Sequence, residues 1–176
     1  FFDKKRNKIY VAVNYPGKVP HLASLDISTG KIKRLTDIKG PALFNVTSLA
    51  YDENNDFLFY TTDNSANRDL YSYNLKNGQN TLLQKNFRSG DLAYNKKDQS
   101  LWAVMHMNGI NTVIRIPKFN SENPNQYYSV WEQKYTLPYG HDIFDLDICT
   151  DGTKLSAAAA DYFGKQHLNI DDLAYI

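Results

Sequence analysis

The chain has 176 residues and a formal net charge of +1, so it is long enough for a proper core, and no strong field directs it to nucleic acid or an anionic membrane. Its single cysteine, Cys149, excludes an internal disulfide bond and a metal site built from several cysteines. No stretch approaches the roughly 18 apolar residues of a transmembrane helix, so no membrane insertion is expected, and the low net charge likewise predicts no nucleic-acid partner. No signal peptide is visible.

Residues 1–40 are predicted to form short strands. The chain starts at the end of the first of these strands and continues directly into the second. The chain opens with FDKKRNKIYVAV, in which a polar turn separates Phe2 from an apolar stretch that starts at Ile9. HLASLDISTGKIKRLT then alternates apolar and polar residues around Thr29-Gly30, a dipeptide typical of a tight turn between strands. The abundance of Tyr and Phe, with 13 and 9 residues, also favours strands.

The same order of elements recurs along the rest of the chain, and Leu49, Leu92 and Leu146 are equivalent in the aligned copies. Each copy is predicted as strand, turn, strand, loop, strand, glycine turn and strand. The second copy consists of SLAYDENNDFLFYTT followed by DLYSYNLKNGQNTLLQ. The third consists of DLAYNKKDQSLWAVM, NTVIRIPKF and a longer insertion, NSENPNQYYSVWEQ. The fourth consists of DLDICTDGTKLSAAA followed by QHLNID.

This order predicts an all-β protein of four-stranded antiparallel blades, the unit of a β-propeller, repeated about every 40 to 50 residues. The second strands (IYVAV, FLFYTT, LWAVM and LSAAAA) are nearly all apolar, so they are expected to be covered on both faces. SAAAAD has high helix propensity, but the register of the repeat predicts a strand there. A single blade cannot bury both of its faces, so the copies need one another.

The predicted domain is a single partial propeller over residues 1–176, with blades at about 1–40, 41–86, 87–136 and 137–176. The first copy lacks its first strand and the fourth lacks its end, whereas propellers usually have four to eight blades. The sequence therefore predicts a segment of about four blades from a longer protein. The alternative is that the terminal DLAYI, which resembles the DLAY of Asp91–Tyr94, supplies the missing strand and closes a small ring head to tail.

The turn between the first two strands carries a family resemblance. DICTDGTKLSAAA, with Asp151, Gly152 and Lys154, resembles the Ser-Pro-Asp-Gly-like turn, Lys and apolar strand of the TolB-like propellers, also called WD40-like or PD40 repeats. The corresponding turns of the other copies lack both Pro and Gly. LASLDISTGKIKRLT is also similar to the family's third strand and Thr-Gly turn, whereas the Gly-His and Trp-Asp marks of true WD40 blades do not stand in place.

The resemblance implies a propeller that is usually six-bladed. Such propellers occur in a periplasmic protein that docks onto other envelope proteins, beside the catalytic domains of serine peptidases, where they gate substrate, and in many secreted bacterial proteins. A periplasmic or extracellular location is therefore expected. Blades alone do not decide between these functions.

No catalytic residue, metal site or cofactor is predicted. The chain has no Gly-x-Ser-x-Gly elbow, no Walker A loop and no histidines at metal-ligand spacing. PYGHDIFDLDICTDG, with one His and four Asp, could form a cation site, but its spacing is not that of an EF-hand, and its acidic residues also suit a strand and a turn.

The equivalent positions where the first strand of each blade begins predict a polar ring at the mouth of the channel. Such a ring would bind a peptide or another ligand, and the alternative is that these residues only hydrate the channel. The predicted binding residues are Asn45, Arg88, Asp91, His141, Asp142 and Asp145. A second partner surface was considered at the aromatic residues of the insertion and its flank, Tyr127, Tyr128, Trp131 and Tyr135, which would otherwise fold back on the blade edge.

Three functions are compatible with these observations. The first is a non-catalytic binding or scaffold module of a larger bacterial envelope or secreted protein, with a protein or peptide partner. The second is the substrate-gating propeller of a peptidase similar to prolyl oligopeptidase or dipeptidyl peptidase, whose catalytic domain lies outside this segment. The third is a propeller lyase or sugar-binding protein that uses the channel residues.

Overall fold

A computed structural model describes residues 1–38, 45–63, 68–117, 131–161 and 163–173, with the backbone alone at 169, 171 and 172. Tyr127, Tyr128 and the last three residues of DLAYI lie outside the described residues. The strands are β1 (Phe2–Asp3), β2 (Lys8–Val13), β3 (His21–Asp26), β4 (Ile32–Asp37), β5 (Asn45–Asp52), β6 (Phe57–Asp63), β7 (Arg68–Asn74), β8 (Asn80–Gln84), β9 (Ser89–Asn95), β10 (Ser100–Met107), β11 (Ile110–Ile116), β12 (Glu132–Thr136), β13 (Asp142–Ile148), β14 (Lys154–Ala160) and β15 (Gln166–Asp172).

The strands pair in sequence order into antiparallel sheets. β1–β4, β5–β8 and β9–β12 form four-stranded sheets, and β13–β15 form a three-stranded sheet. The predicted antiparallel blades are therefore confirmed, and SAAAAD is a strand up to Ala160, because its first five residues belong to β14. Among the described residues, no helix is long and apolar enough to cross a bilayer.

The chain divides into two compact units, Phe1–Lys85 and Asn86–Ile176, each with two sheets. In the first unit the two sheets share a core of Tyr10, Leu22, Ile38, Val46, Leu58, Tyr60 and Tyr73. In the second unit they share a core of Ala93, Trp102, Val104, Val113, Ile143, Leu146, Leu155, Ala157 and Ala159. Each core forms where the apolar face of one sheet packs on that of the next.

The expected burial of the second strands is confirmed for β6 and β10, in which six consecutive residues are buried. It is wrong for β2, which is mostly half-buried, and for β14, in which buried and half-buried residues alternate. Leu155, Ala157 and Ala159 of β14 pack into the core of the second unit. The opposite face carries Ala158 and Ser156, whose cross-strand partners Leu168 and Ile170 are 69% and 61% exposed.

The turns between first and second strands share one backbone conformation. Asn7, Asp56 and Gln99 occupy equivalent positions and have φ of 52°, 62° and 61°. Asp and Asn tolerate this left-handed region better than other non-glycine residues. The backbone thus makes the same turn without the Pro and Gly of the family pattern, which only the fourth copy approaches through Gly152, at φ 70°.

An ion cluster joins the two sheets of the first unit at these turns. Nη1 of Arg6 lies 2.9 Å from Oδ2 of Asp3, within its own turn, and 2.6 Å from Oδ1 of Asp56, in the turn of the next sheet. Both aspartates are almost fully buried. Burial raises the pKa of Asp3, but hydrogen bonds from Arg6 and Tyr10 outweigh it and lower the pKa, and the hydrogen bond from Arg6 lowers the pKa of Asp56.

Replacing Gln99 by Asn should stabilise the chain by about 0.5 kcal/mol, because Asn is less strained at positive φ. The measurement is the free energy of unfolding in urea. Asn7→Gln is the reversal and should destabilise by at least as much, because it also disturbs the 2.7 Å hydrogen bond from Nδ2 of Asn7 to Oγ of Ser28. If both substitutions changed the free energy of unfolding by the same amount in the same direction, a common turn conformation would be contradicted.

Removing Arg6 should destabilise the chain by about 3 kcal/mol at pH 7, because Arg6→Met leaves the buried carboxylate of Asp3 without a cation and that of Asp56 with only Lys76, whose Nζ is 3.7 Å away. Both carboxyls have lowered pKa values in the folded state, so their stabilisation is present above the unfolded pKa of about 3.9 and is lost as pH falls through the folded values. The difference between wild type and variant should therefore shrink between pH 5 and about pH 2.

The control is Arg34→Met, which removes an exposed ion pair with Asp37 and should cost less than about 1 kcal/mol. Urea unfolding over this pH range tests both variants. A cost for Arg6→Met that does not change with pH would rule out the ionic origin of the stabilisation.

Candidate functional site

A β-bulge interrupts the first strand of three sheets at one equivalent position. The pairing register shifts at Thr47 in β5, at Gly90 in β9 and at Phe144 in β13. Bulges re-aim the neighbouring side chains and are common beside functional sites. We call the end of each sheet at which the first strand begins the loop end, and the end with the tight turn between first and second strands the turn end.

The predicted binding residues lie at the loop ends of both units. Asn45 begins β5 in the first unit and is exposed. The other five are in the second unit: Arg88 and Asp91 at β9, His141 just before β13, and Asp142 and Asp145 within it. Arg88, Asp142 and Asp145 are exposed, whereas Asp91 and His141 are half-buried. The ring that would join Asn45 to the others remains a prediction.

Asp91 links the first strands of the two sheets in the second unit. Its Oδ2 accepts a hydrogen bond from the backbone N–H of Leu146, at 2.7 Å. This carboxylate oxygen therefore fixes β13 beside β9. The residue has a structural role that its equivalence with Ser48 and Asp145 did not indicate.

Asp142 is held in place by a buried amide. Asn111 donates from Nδ2 to Oδ1 of Asp142 at 2.9 Å, and its own Oδ1 accepts the N–H of Ile143 at 3.1 Å. The side chain of Asp142 nevertheless remains 73% exposed. The carboxylate is thus fixed and open to solvent, which lowers the entropic cost of binding a cation.

The first unit has a corresponding clamp on its own loop end. Asn14, after β2, donates to the carbonyl of Val46 at 2.9 Å and accepts its N–H at 3.0 Å. Val46 and Ile143 are equivalent in the repeat, but Asn14 and Asn111 come from different places in their blades. The backbone at the start of the first strand is therefore anchored to the preceding sheet in both units.

His106 lies against Gly90 at the bulge of β9. A Cβ atom on Gly90 would fall 2.0 Å from Nε2 of His106, so only glycine leaves room for the ring. Nδ1 of the same ring is 4.0 Å from Oδ1 of Asp142, and the backbone N–H of His106 donates to the carbonyl of Arg88. The bulge thus brings an imidazole beside the exposed carboxylate.

Tyr139 stands on a two-residue hairpin turn. Asn108 and Gly109, at φ 54° and 76°, connect β10 to β11 as in a type I′ turn. The ring of Tyr139 lies against Gly109, where a Cβ would meet its Cε2 at 2.6 Å, and Gly140 donates to the carbonyl of Gly109. Tyr139 is 74% exposed, so most of its side chain is open to solvent.

Two histidines stack beside this surface. The rings of His141 and His167 are 6.2 Å apart at 25°, and Nε2 of His167 is 3.2 Å from Oδ2 of Asp161. This hydrogen bond lowers the pKa of Asp161. Nowhere in the described ranges do three His, Cys, Asp or Glu side chains converge as a metal site would require.

A cleft of about 370 Å³ lies at the turn end of the second unit. In the wall of the cleft, Nη2 of Arg115 is 3.0 Å from Oδ2 of Asp98 and Nη1 is 3.2 Å from Oε2 of Glu132, so the charge of Arg115 is already balanced. Asn95 spans the two sheets here by donating to the carbonyl of Gly152. The lining residues are Asn95, Lys97, Asp98, Trp102, Arg115, Gly152 and Leu173.

Sequence reasoning missed the residues that complete the loop end of the second unit, namely His106, Asn111 and Tyr139. The available signal was the turn dipeptide Asn108-Gly109, which predicts a tight turn between two strands. Of the aromatic residues considered near the insertion, Tyr135 packs against the core and Trp131 is 39% exposed.

No protein-family model and no curated protein sequence matches the chain. Solved structures do match it. TolB from Acinetobacter baumannii superposes with a TM-score of 0.72 and 16% identity over 95% of this chain and 38% of that chain. A prolyl endopeptidase superposes with a TM-score of 0.71 and 9% identity over 98% of this chain and 27% of that chain. A chain of a nidogen–laminin complex superposes with a TM-score of 0.62 and 14% identity over 94% of this chain and 59% of that chain.

These similarities, with the antiparallel four-stranded sheets, show a TolB-like β-propeller fold, and the TolB-like resemblance is confirmed at the level of fold. The chain spans about two fifths of the TolB chain and about a quarter of the prolyl endopeptidase chain. Identities this low carry no function by themselves.

Replacing Gly90 by Ala should displace the His106 ring and destabilise the chain by about 1–3 kcal/mol, because the new methyl group overlaps Nε2. In a His106→Ala background the same change should cost less than about 0.5 kcal/mol, since the obstacle is gone. Urea unfolding of the four chains of this double-mutant cycle tests the contact. Additive costs would contradict it.

Proposed function

We propose that the chain is a non-catalytic binding module of a larger bacterial envelope or secreted protein, periplasmic or extracellular, that recognises a protein or peptide partner. One observation carries the proposal. At the loop end of the second unit, exposed side chains that can form contacts are held rigidly by buried ties to the backbone, as Asp142 is by Asn111 and Tyr139 by Gly109.

The arrangement suits recognition of a polypeptide. Binding is strongest where exposed groups are already ordered, because little further conformational entropy is lost. Tyr is among the residues enriched where binding energy concentrates. The likeness to TolB and to a chain of a nidogen–laminin complex supports a protein partner in a general way.

A second candidate function is the gating propeller of a peptidase. The observation that favours it is the fold similarity to a prolyl endopeptidase, of which the chain covers 27%. The flanking sequence of the gene decides between the two. A Gly-x-Ser-x-Gly elbow in an adjoining domain, or a His-Glu-x-x-His helix, would favour the peptidase, and an adjoining non-catalytic domain would favour the binding module.

Peptides selected from a random phage-displayed library against the 176-residue chain should bind at the loop end of the second unit. Combining Arg88→Ala with Asp142→Asn should weaken their binding at least tenfold, which corresponds to about 1.4 kcal/mol. The measurement is the dissociation constant by fluorescence anisotropy.

The control combines Lys4→Ala with Glu53→Ala, two exposed residues at turn ends of the first unit, and should leave the affinity unchanged. If the loop-end variant binds as well as the wild type, or if no peptide is selected at all, the proposed site is wrong.

A further inference from the structure

We infer that Tyr139 and Asp142 form a subsite for an arginine side chain of the partner peptide, with the guanidinium over the tyrosine ring and its charge paired by the carboxylate. The inference rests on the proposed peptide-binding function and specifies which residue that function recognises.

The tyrosine ring is fixed by its own turn. Pro138-Tyr139-Gly140-His141 is a β-turn, with the N–H of His141 bonded to the carbonyl of Pro138, and Gly140 has φ 80°, as the third position of a type II turn requires. Tyr139 therefore occupies the second position, and its ring lies against Gly109. Most of the side chain is open to solvent.

The carboxylate is fixed by the same hairpin. Asn111, two residues after Gly109, holds Oδ1 of Asp142, and the carbonyl of Asn111 accepts the N–H of Leu137. Oδ2 of Asp142 has no hydrogen-bond partner within the part of the chain that the structure describes. One carboxylate oxygen is therefore anchored while the other is available.

The two groups are close along a constrained segment. Three residues span at most about 11 Å even when extended, and the turn at Tyr139-Gly140 shortens that distance. Both groups are also anchored to one short turn, at Gly109 and Asn111. A single side chain with a planar, charged end can therefore contact both.

Arginine fits these groups better than other residues. Its guanidinium stacks on aromatic faces and pairs with carboxylates, whereas a lysine ammonium is a compact, strongly hydrated charge. The exposed acidic residues Asp145 and Asp147 on the same strand add to the attraction for a cation. Met107 and Ile110, 54% and 39% exposed on the flanks of the Gly109 turn, offer apolar surface for the methylene stem or a neighbouring apolar residue.

The test uses the amide chemical shifts of the ¹⁵N-labelled chain with two probes, acetyl-arginyl-leucine amide and its citrulline counterpart, which has nearly the same shape without the charge. The arginine probe should give saturable shifts at Gly109, Gly140 and Asp142. The citrulline probe should bind at least fivefold more weakly.

Variants separate the two contacts. Tyr139→Leu keeps apolar contact with Gly109 but removes the aromatic face, and Asp142→Asn keeps the Asn111 neighbour but removes the charge. Each should weaken binding of the arginine probe at least fivefold. The control is Tyr15→Ala, a change to a 66% exposed tyrosine in the first unit, which should have no effect.

Equal shifts with the arginine and citrulline probes would overturn the inference. A third probe, the disaccharide chitobiose, tests the sugar-binding alternative. If it gives larger shifts at Gly109 and Gly140 than the arginine probe, and these persist in Asp142→Asn, the Tyr139 ring binds sugars and the inference is also overturned. Library peptides that bind the loop end without any preference for arginine would also overturn it, while leaving the proposed peptide-binding function intact.

Discussion

A thin sheet has two faces and cannot bury both of them alone, and the rest of the structure depends on how this constraint is met. In each unit one sheet packs its apolar face on the next, with Leu58 and Tyr60 central to the first core and Trp102 and Val104 to the second. Burial of such side chains contributes about 1.5–3 kcal/mol each, so this packing is the main source of stability. Where a face packs on no described sheet, as around Leu168, apolar side chains stay exposed.

Apolar packing is not directional, so polar ties set the relative position of the sheets within a unit. Arg6 joins turns at one end of the first unit while Asn14 clamps the other. In the second unit Asn95 and Asn111 have the corresponding tasks. The ties that hold the backbone also hold Asp142, so the rigidity of the candidate site is a by-product of how the sheets are aligned.

The repeat made the architecture predictable from the sequence, because the same apolar and turn positions recur in register. Strand β14 was predicted against its helix propensity, since Leu155 aligns with Leu58 and Leu101. The roles of individual polar residues were not predictable in this way. Asp91 is predicted as a binding residue from its alignment, and its hydrogen bond to the neighbouring strand is a further role that the alignment did not indicate. The burial of β2 and β14 was also missed, because apolar composition does not reveal whether a sheet has a neighbour on each side.

The candidate site was predicted only in part for a related reason. Asp142 was found from its position in the repeat, whereas Tyr139 lies in a segment that the alignment does not cover. Its importance comes from a contact with Gly109, which is distant in sequence. Equivalent clamps also arise from non-equivalent residues, Asn14 and Asn111, so an alignment of copies cannot identify them.

The bulge in the first strand occurs with a threonine, a glycine and a phenylalanine at its extra position. The backbone therefore adopts this irregularity with three very different residues. At Thr47 and Phe144, which are exposed, the position behaves as a variable display site on a constant frame, where new specificities can arise by drift or by randomised libraries, whereas at Gly90 the His106 ring restricts it to glycine.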